Sequence, residues 1–232
     1  MALYAISDLH LSFTDDKPMD VFGEVWVNHD ERIRANWLAK IREEDTVLLG
    51  GDLSWSMTLQ EAVKELDFIA ALPGRKIAIK GNHDYWWSSI TKLNGMYDNI
   101  SFIQNNFFTW ENTAICGTRG WVCQGSEKFT EADAPIYRRE GIRLENSLKA
   151  ARAAGYQDII AMIHYPPMNE YGQDSVFTDL MEQYGVRKVI YGHLHGQALK
   201  NVFQGLRNGV EYIMTSGDFI QFDPVLIEKG IE

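Results

Sequence analysis

Five of the six histidines in this chain fall within short motifs shared with aspartate, asparagine and glycine. In order these are Asp8-Leu9-His10, Gly51-Asp52, Gly81-Asn82-His83-Asp84, an isolated His164, and Gly192-His193-Leu194-His195. Imidazole and carboxylate hold borderline divalent metals, and imidazole is also the commonest acid–base group near neutral pH. An aspartate with a histidine two positions on, just past a strand, can aim both side chains at one ion. Asp52 follows two glycines, where the backbone can turn tightly and bring a carboxylate close; its two oxygens can bridge a pair of ions. Asn82 adds a neutral carbonyl oxygen, and His164, His193 and His195 add imidazoles. A single ion cannot accommodate them all, so the set favours two sites of mixed nitrogen and oxygen ligands. His29 lies outside every motif and reads as a residue that caps or flanks a helix.

Each motif follows a short apolar run: Leu3–Ile6, Thr46–Leu49, Lys76–Ile79, Ile159–Ile163 and Lys188–Tyr191. Continuous apolar runs of this length predict strands buried on both faces. Helical spacing lies between several of them, over Asp30–Arg42, Thr58–Ala71, Ile142–Ala154 and Val176–Tyr184. Thr58 and Glu61 supply a capping box, and Gly155 and Gly185 supply stop signals. Alternation of strand and helix predicts βαβ units with right-handed crossovers. Closely spaced runs at 101–103, 107–109 and 113–116, with tail strands at 198–203, 210–215 and 225–228, predict mixed sheets. Two such sheets packed face to face, with helices outside, make an α/β sandwich. Ligands gather at the carboxyl ends of parallel strands, because the loops leaving them converge on one crevice.

The 232 residues suit one domain spanning 1–232, with 45% apolar and 23% charged side chains. The net charge of −10 opposes long-range attraction to polyanions, so binding of duplex nucleic acid is not expected. Bound cations would reverse that sign locally, which leaves a small anionic substrate compatible. Cys116 and Cys123 are the two cysteines and read as reduced thiols. No leader-like segment or membrane-length apolar stretch is present in the sequence, which predicts a cytoplasmic protein without a membrane partner.

The ordered motif set resembles the calcineurin-like metallophosphoesterase family, from residue 8 to residue 195. A lone Asp-x-His is weak evidence; the complete ordered set is specific. The resemblance implies a four-layer αββα sandwich and a binuclear centre. By it, Asp8, His10 and His195 would hold one metal, Asn82, His164 and His193 the other, and Asp52 would bridge them. Nitrogen and oxygen ligation admits Mn, Fe, Zn or Co. The implied reaction is hydrolysis of a phosphomonoester, phosphodiester or pyrophosphate by direct attack of a water or hydroxide bridging the metals. His83 would contact the phosphate and protonate the leaving oxygen, with Asp84 fixing its tautomer and favouring the imidazolium.

Around this centre the loops carry further candidates. Trp55 and Tyr165, each close in sequence to a predicted ligand, are the aromatic residues expected to line a pocket for a ring-bearing leaving group. The weakly patterned segment 118–141 reads as a lid or insertion, with Arg119 as a phosphate-binding cation. Asn169, in the loop after His164, could donate a hydrogen bond to substrate. Two other readings compete with the hydrolase: a weakly active metal-binding scaffold for protein interaction, and a nuclease acting on small nucleotides or single strands. The presence of every ligand and of His83 disfavours the scaffold.

Overall fold

The computed structural model describes residues 1–14 and 17–230. The first half of the chain runs β1 (Ala2–Ile6), α1 (His29–Lys40), β2 (Thr46–Leu49), α2 (Val63–Ala71), β3 (Arg75–Ile79), α3 (Ile90–Leu93) and β4 (Ile100–Ile103). The second half continues with β5 (Phe108–Trp110), β6 (Thr113–Thr118), α4 (Ala134–Ala153), β7 (Asp158–Ile163), α5 (Val176–Gln183) and β8 (Lys188–Tyr191). It closes with β9 (Gly205–Arg207), β10 (Val210–Met214) and β11 (Val225–Lys229). All five motif-bearing strands form where the apolar runs predict them.

Two sheets result. One has the order β11-β1-β2-β3-β4, and the other β5-β6-β7-β8-β10-β9. The central strands of each are parallel, while β11, β5 and β9 pair antiparallel at or beside the edges. The strand runs are continuously apolar because each face meets a different layer. Val47 and Leu49 pack with Ile33 and Trp37 of α1 and Leu66 of α2. Leu48 and Ile77 point the other way, into a layer shared with Ile115, Ile160 and Ile190 of the second sheet. Ala161 and Val189 in turn face Leu144, Leu148 and Phe177 from α4 and α5. The four layers of the expected αββα sandwich are therefore present. At the seam the sheets are stitched together: the Ser7 N–H donates to the Thr215 carbonyl at 2.8 Å, and the two hydroxyls lie 2.8 Å apart.

Several elements depart from expectation. The Thr58–Glu61 box forms, with the Thr58 N–H on the Glu61 carboxylate (2.8 Å), but only turns follow it until the regular helix begins at Val63. Helix α4 begins at Ala134, eight residues before the predicted Ile142, with a proline in its first turn where a missing N–H costs nothing. The expected strand 198–203 is instead a 3-10 helix over Gly196–Asn201. Leu199 within it and Val202 just after it are three apart and both pack towards the core, a helical rather than an alternating spacing. Strand β9 turns into β10 through Asn208-Gly209, both with positive φ, the hairpin turn that favours this dipeptide. Among the described residues no helix is long and apolar enough to cross a membrane. Both thiols are buried and free.

Candidate metal centre

The loops leaving β1, β2, β3, β7 and β8 converge at the carboxyl ends of the two parallel sheets and deliver their polar side chains into one place. Asp8, His10 and His195 each offer a donor atom within 4.8 Å of the others, and Asp52, His164 and His193 do the same. The second Asp52 oxygen (Oδ2) lies 3.3 Å from His164 Nε2 and 3.8 Å from His10 Nε2, between the two groups. Asn82 Oδ1 lies 2.8 Å from His164 Nε2. All seven predicted ligands are thus brought together.

Backbone conformation is the means of this convergence. Asp8, His10, Asp52 and His193 all have positive φ, between 44° and 73°. Aspartate and histidine tolerate this region better than most residues, but it still costs about 1 kcal/mol each. Glycines make room for the result. A Cβ on Gly81 would collide with the Asp52 carboxylate, and one on Gly192 would collide with Asp8 Oδ2 and Ser7.

Hydrogen bonds hold the outer atoms and leave the inner ones exposed to an ion. Asp8 Oδ2 accepts from the Ser216 hydroxyl (2.7 Å) and the His193 N–H (2.9 Å). Its buried Oδ1 has no hydrogen-bond partner among the described residues, and neither has the buried His195 Nε2, 3.5 Å away. On the opposite side of the His195 ring, Nδ1 donates to Asp218 Oδ1 at 2.8 Å. His164 Nδ1 donates to the Gly50 carbonyl (3.0 Å), which leaves its Nε2, 2.8 Å from the Asn82 oxygen, as the position that holds either a proton or a cation. A buried carboxylate oxygen and ring nitrogen left without partners among the described residues, beside a second group of converging donor atoms, fit a pair of metal ions.

The electrostatics favour the same reading. Burial lowers the pKa of His10 to about 4 and of His193 to about 3, which keeps both neutral and able to ligate. Burial works against the charge on Asp8, but His195 and His164 outweigh it and hold the carboxyl near 2. Asp52 is likewise held below the usual carboxylate range, its burial outweighed by His164 and His10. Burial also opposes charge on His164 and His195. Asp52 and Asp8 overcome it at His164, raising it to about 9; Asp8 and Asp218 do so at His195, raising it to about 10. These are two protons that an arriving cation would displace.

His83 stands beside this group, its ring 5.6 Å from the His10 ring and 4.2 Å from the Trp55 ring. Its N–H donates to Asp52 Oδ1 (2.7 Å), while the half-buried ring makes no hydrogen bond among the described residues. Asp84 does not orient it. The Asp84 carboxylate is fully buried and accepts the N–H groups of Asp52 (2.9 Å), Leu53 (2.8 Å), Ser54 (3.3 Å) and Gly81 (2.7 Å), with the Trp86 indole at 3.0 Å. It ties the Asp52 loop to the Asn82 loop, so the expected His–Asp pairing is corrected to a loop tether. Burial and Asp52 push the Asp84 carboxyl up to about 6 against those donors.

Other peripheral candidates separate. Trp55 stacks on His10 at 4.8 Å, beside the centre as expected. Tyr165 instead packs on the His193 ring at 4.0 Å and lines a different cleft. Arg119 is not a free phosphate-binding cation. Its guanidinium pairs with buried Glu140 (3.2 Å) and lies over Trp121 (4.5 Å), because a fully buried carboxylate must be neutralised. Asn169 spends its amide on the Gln124 carbonyl (3.2 Å) and the Gln173 side chain (2.7 Å), so it shapes its loop rather than donating outward. Within 118–141, residues 134–141 are the first turns of α4, and Ser126 and Glu127 bind Glu170 of the neighbouring loop. The segment is a pinned excursion followed by helix.

His29 begins α1, as expected of a helix flank, and also backs the centre. Its ring nitrogens lie 3.2 Å from the Trp26 carbonyl and 3.3 Å from the His10 carbonyl. Ser216 and Asp218 are the site residues that sequence reasoning missed. Their signal was present: Ser216-Gly217-Asp218 follows the apolar run of β10, the same run–glycine–carboxylate pattern as the recognised motifs.

Solved structures share the architecture. A protein of unknown function from Aquifex aeolicus aligns over 97% of this chain and 95% of its own, at 20% identity and a TM-score of 0.53. Phosphopantetheinyl hydrolase from Mycobacterium tuberculosis aligns over the same fractions at 15% identity and a TM-score of 0.56. None of the curated proteins matches the chain. The family model for calcineurin-like phosphoesterases matches residues 1–197, a stretch containing every metal-competent motif, and this chain belongs to that family.

Proposed function

We propose that the protein is a binuclear metal-dependent phosphohydrolase acting on a small phosphorylated substrate. Family membership supports metal-dependent phosphoester hydrolysis as the general reaction. The observation that carries the finer reading is the convergence of two ligand groups, with the Asp52 carboxylate between them. Asp8, His10 and His195 would hold one cation, Asn82, His164 and His193 the second, and Asp52 both. When bound, such a pair neutralises charge on phosphoryl oxygens and acidifies water for an in-line displacement.

The chain's own residues supply the rest. Asp218 and Gly50 fix the tautomers of His195 and His164, so that each presents its Nε2 inward. Asp84 holds the Asp52 and Asn82 loops in mutual register. His83 is the group free to meet substrate. Burial lowers its pKa, Asp52 opposes this, and an arriving phosphate anion would raise it further and favour the imidazolium. In the reaction a water oxygen bonds to phosphorus as the ester P–O bond breaks. One water proton is released, and His83 gives a proton to the departing alcohol. No covalent phosphoryl-enzyme forms, so trapping one during turnover would count heavily against this course.

The acidic surface and the small clefts suit a small ester rather than duplex nucleic acid. The test is hydrolysis of p-nitrophenyl phosphate by protein loaded in turn with Mn²⁺, Fe²⁺, Zn²⁺ and Co²⁺, beside an Asp52→Asn control. If no metal raises wild-type turnover above that control, the hydrolase reading fails.

A further inference from the structure

Two clefts open onto the centre, and they differ in chemistry. One, of about 220 Å³, reaches His193 and Tyr165 and carries Ser126, Glu127, Lys128 and Asn169 on its walls. The other, of about 290 Å³, is lined by the His10, His83 and His195 rings. The remainder of this second cavity is Met19, Phe22, Trp26 and Trp55, with Gly196; among the described residues no lysine, arginine, aspartate or glutamate lines it, and Lys17 Nζ lies 5.3 Å from the Trp55 ring.

The apolar walls are built, not incidental. Trp26 is 3% exposed and stands edge-on to His195 at 5.5 Å and to His10 at 5.6 Å. Trp55 stacks on His10, contacts His83, and donates its indole N–H to Met19 Sδ at 3.1 Å. Phe22 completes the wall although 66% of its surface faces solvent. An exposed phenylalanine over an aromatic cavity gains burial only when something fills the space beneath it.

From this we infer the class of leaving group: an uncharged alcohol bearing a ring or compact hydrocarbon, seated among Met19, Phe22, Trp26 and Trp55. The inference rests on the phosphohydrolase reading and adds to it. The ester oxygen that receives the proton must lie near His83, so whatever that oxygen carries enters the cavity that His83 lines. A charged group there would exchange its hydration for walls that, among the described residues, carry no lysine, arginine or carboxylate. A cavity of this size falls at the small end of ligand pockets, which run about 300–1,000 Å³. It has room for one ring, not for a polymer. Trp55 is one of the two aromatic residues predicted for this purpose; Met19, Phe22 and Trp26 come from the 3-10 turns Met19–Phe22 and Glu24–Trp26, downstream of the Asp8-Leu9-His10 motif.

The experiment compares 2-phenylethyl phosphate with 2-hydroxyethyl phosphate on metal-loaded protein, since their alcohols are of similar acidity and differ mainly in the ring. The expected result is a kcat/KM about 10-fold or more higher for the phenyl ester, expressed mainly in KM. The non-hydrolysable 2-phenylethylphosphonate should compete correspondingly better than 2-hydroxyethylphosphonate and perturb tryptophan emission. Phe22→Ser should narrow the preference, while Leu206→Ser, an exposed leucine on β9 away from the centre, should keep it. Equal kcat/KM for the two esters, or a preference untouched by Phe22→Ser, overturns the inference and leaves the hydrolase standing. Failure to turn over either ester or p-nitrophenyl phosphate with any of the four metals overturns both.

Discussion

His195 is held from one side by Asp218, at 2.8 Å from Nδ1, and presents its Nε2 to Asp8 Oδ1 from the other, at 3.5 Å. Carboxylates behind metal-binding imidazoles fix the tautomer and raise ligand basicity, and their loss typically costs about 10–100-fold in affinity or activity. Asp218→Ala should therefore weaken metal binding by about that factor, read by titration with Mn²⁺ or Zn²⁺. Asp218→Asn keeps an acceptor without the charge and should recover part of it. Wild-type affinity in Asp218→Ala would show that the contact merely packs the tail.

His83 and Asp52 should fail in opposite ways. His83→Ala removes a ring that none of the described residues holds by hydrogen bonding, and kcat should fall by about 10²–10⁴-fold with metal content unchanged. Asp52→Ala removes the carboxylate lying between both ligand groups and should empty the centre. Kinetics alongside metal analysis of the dialysed proteins separates the two; metal loss in His83→Ala would remove its assignment as the acid.

Asp84 acts on loop geometry rather than on a proton. Asp84→Asn turns a carboxylate that accepts five N–H groups into an amide whose own N–H₂ faces donors. Hydrogen bonds to a buried charged acceptor are worth about 1.5–3 kcal/mol each, partly recovered by relaxation, so a net loss of about 2–4 kcal/mol is expected. Urea unfolding of the metal-free protein measures it. A change within 0.5 kcal/mol would mean that the tether contributes nothing.

How far the sequence alone discloses the centre follows from what each residue depends on. The seven candidate ligands were legible because they sit just past apolar runs, four of them (Asp52, Asn82, His193 and His195) beside a glycine, and both features are local. The αββα layering was legible for the same reason, since strands buried on both faces require covering layers. Asp84 was misassigned because adjacency to His83 suggested a pair, whereas a positive-φ turn at Asp52 brings four backbone N–H groups to it from two loops. Arg119 was misassigned because nothing local reveals that Glu140, 21 residues later on α4, would be buried against it. Of the aromatic cavity only Trp55 was anticipated, because Met19, Phe22 and Trp26 adjoin none of the motifs.

Metal affinity should rise with pH. His164 and His195 have metal-free pKa values of about 9 and 10, so a cation must displace protons from them throughout the neutral range. Each displaced proton makes the apparent Kd fall by up to about 10-fold per pH unit between pH 7 and 9. The metal-free protein should show the reverse trend in stability. Both folded pKa values lie above the unfolded one, about 6.5, so their contribution is complete below that pH and is lost as pH rises towards 9–10. Calorimetric metal titrations and melting curves across this range test both signs; a pH-independent affinity would contradict the proton count.

Four of the candidate ligands, Asp8, His10, Asp52 and His193, occupy the left-handed region that suits glycine best. Replacing any one of them by glycine would relax the backbone and delete a donor in the same step. Rigidity and reactivity are thus opposed at single codons. Selection for thermal robustness alone would push this chain towards an inert sandwich of the same shape, and glycine at these four positions would be the trace it left.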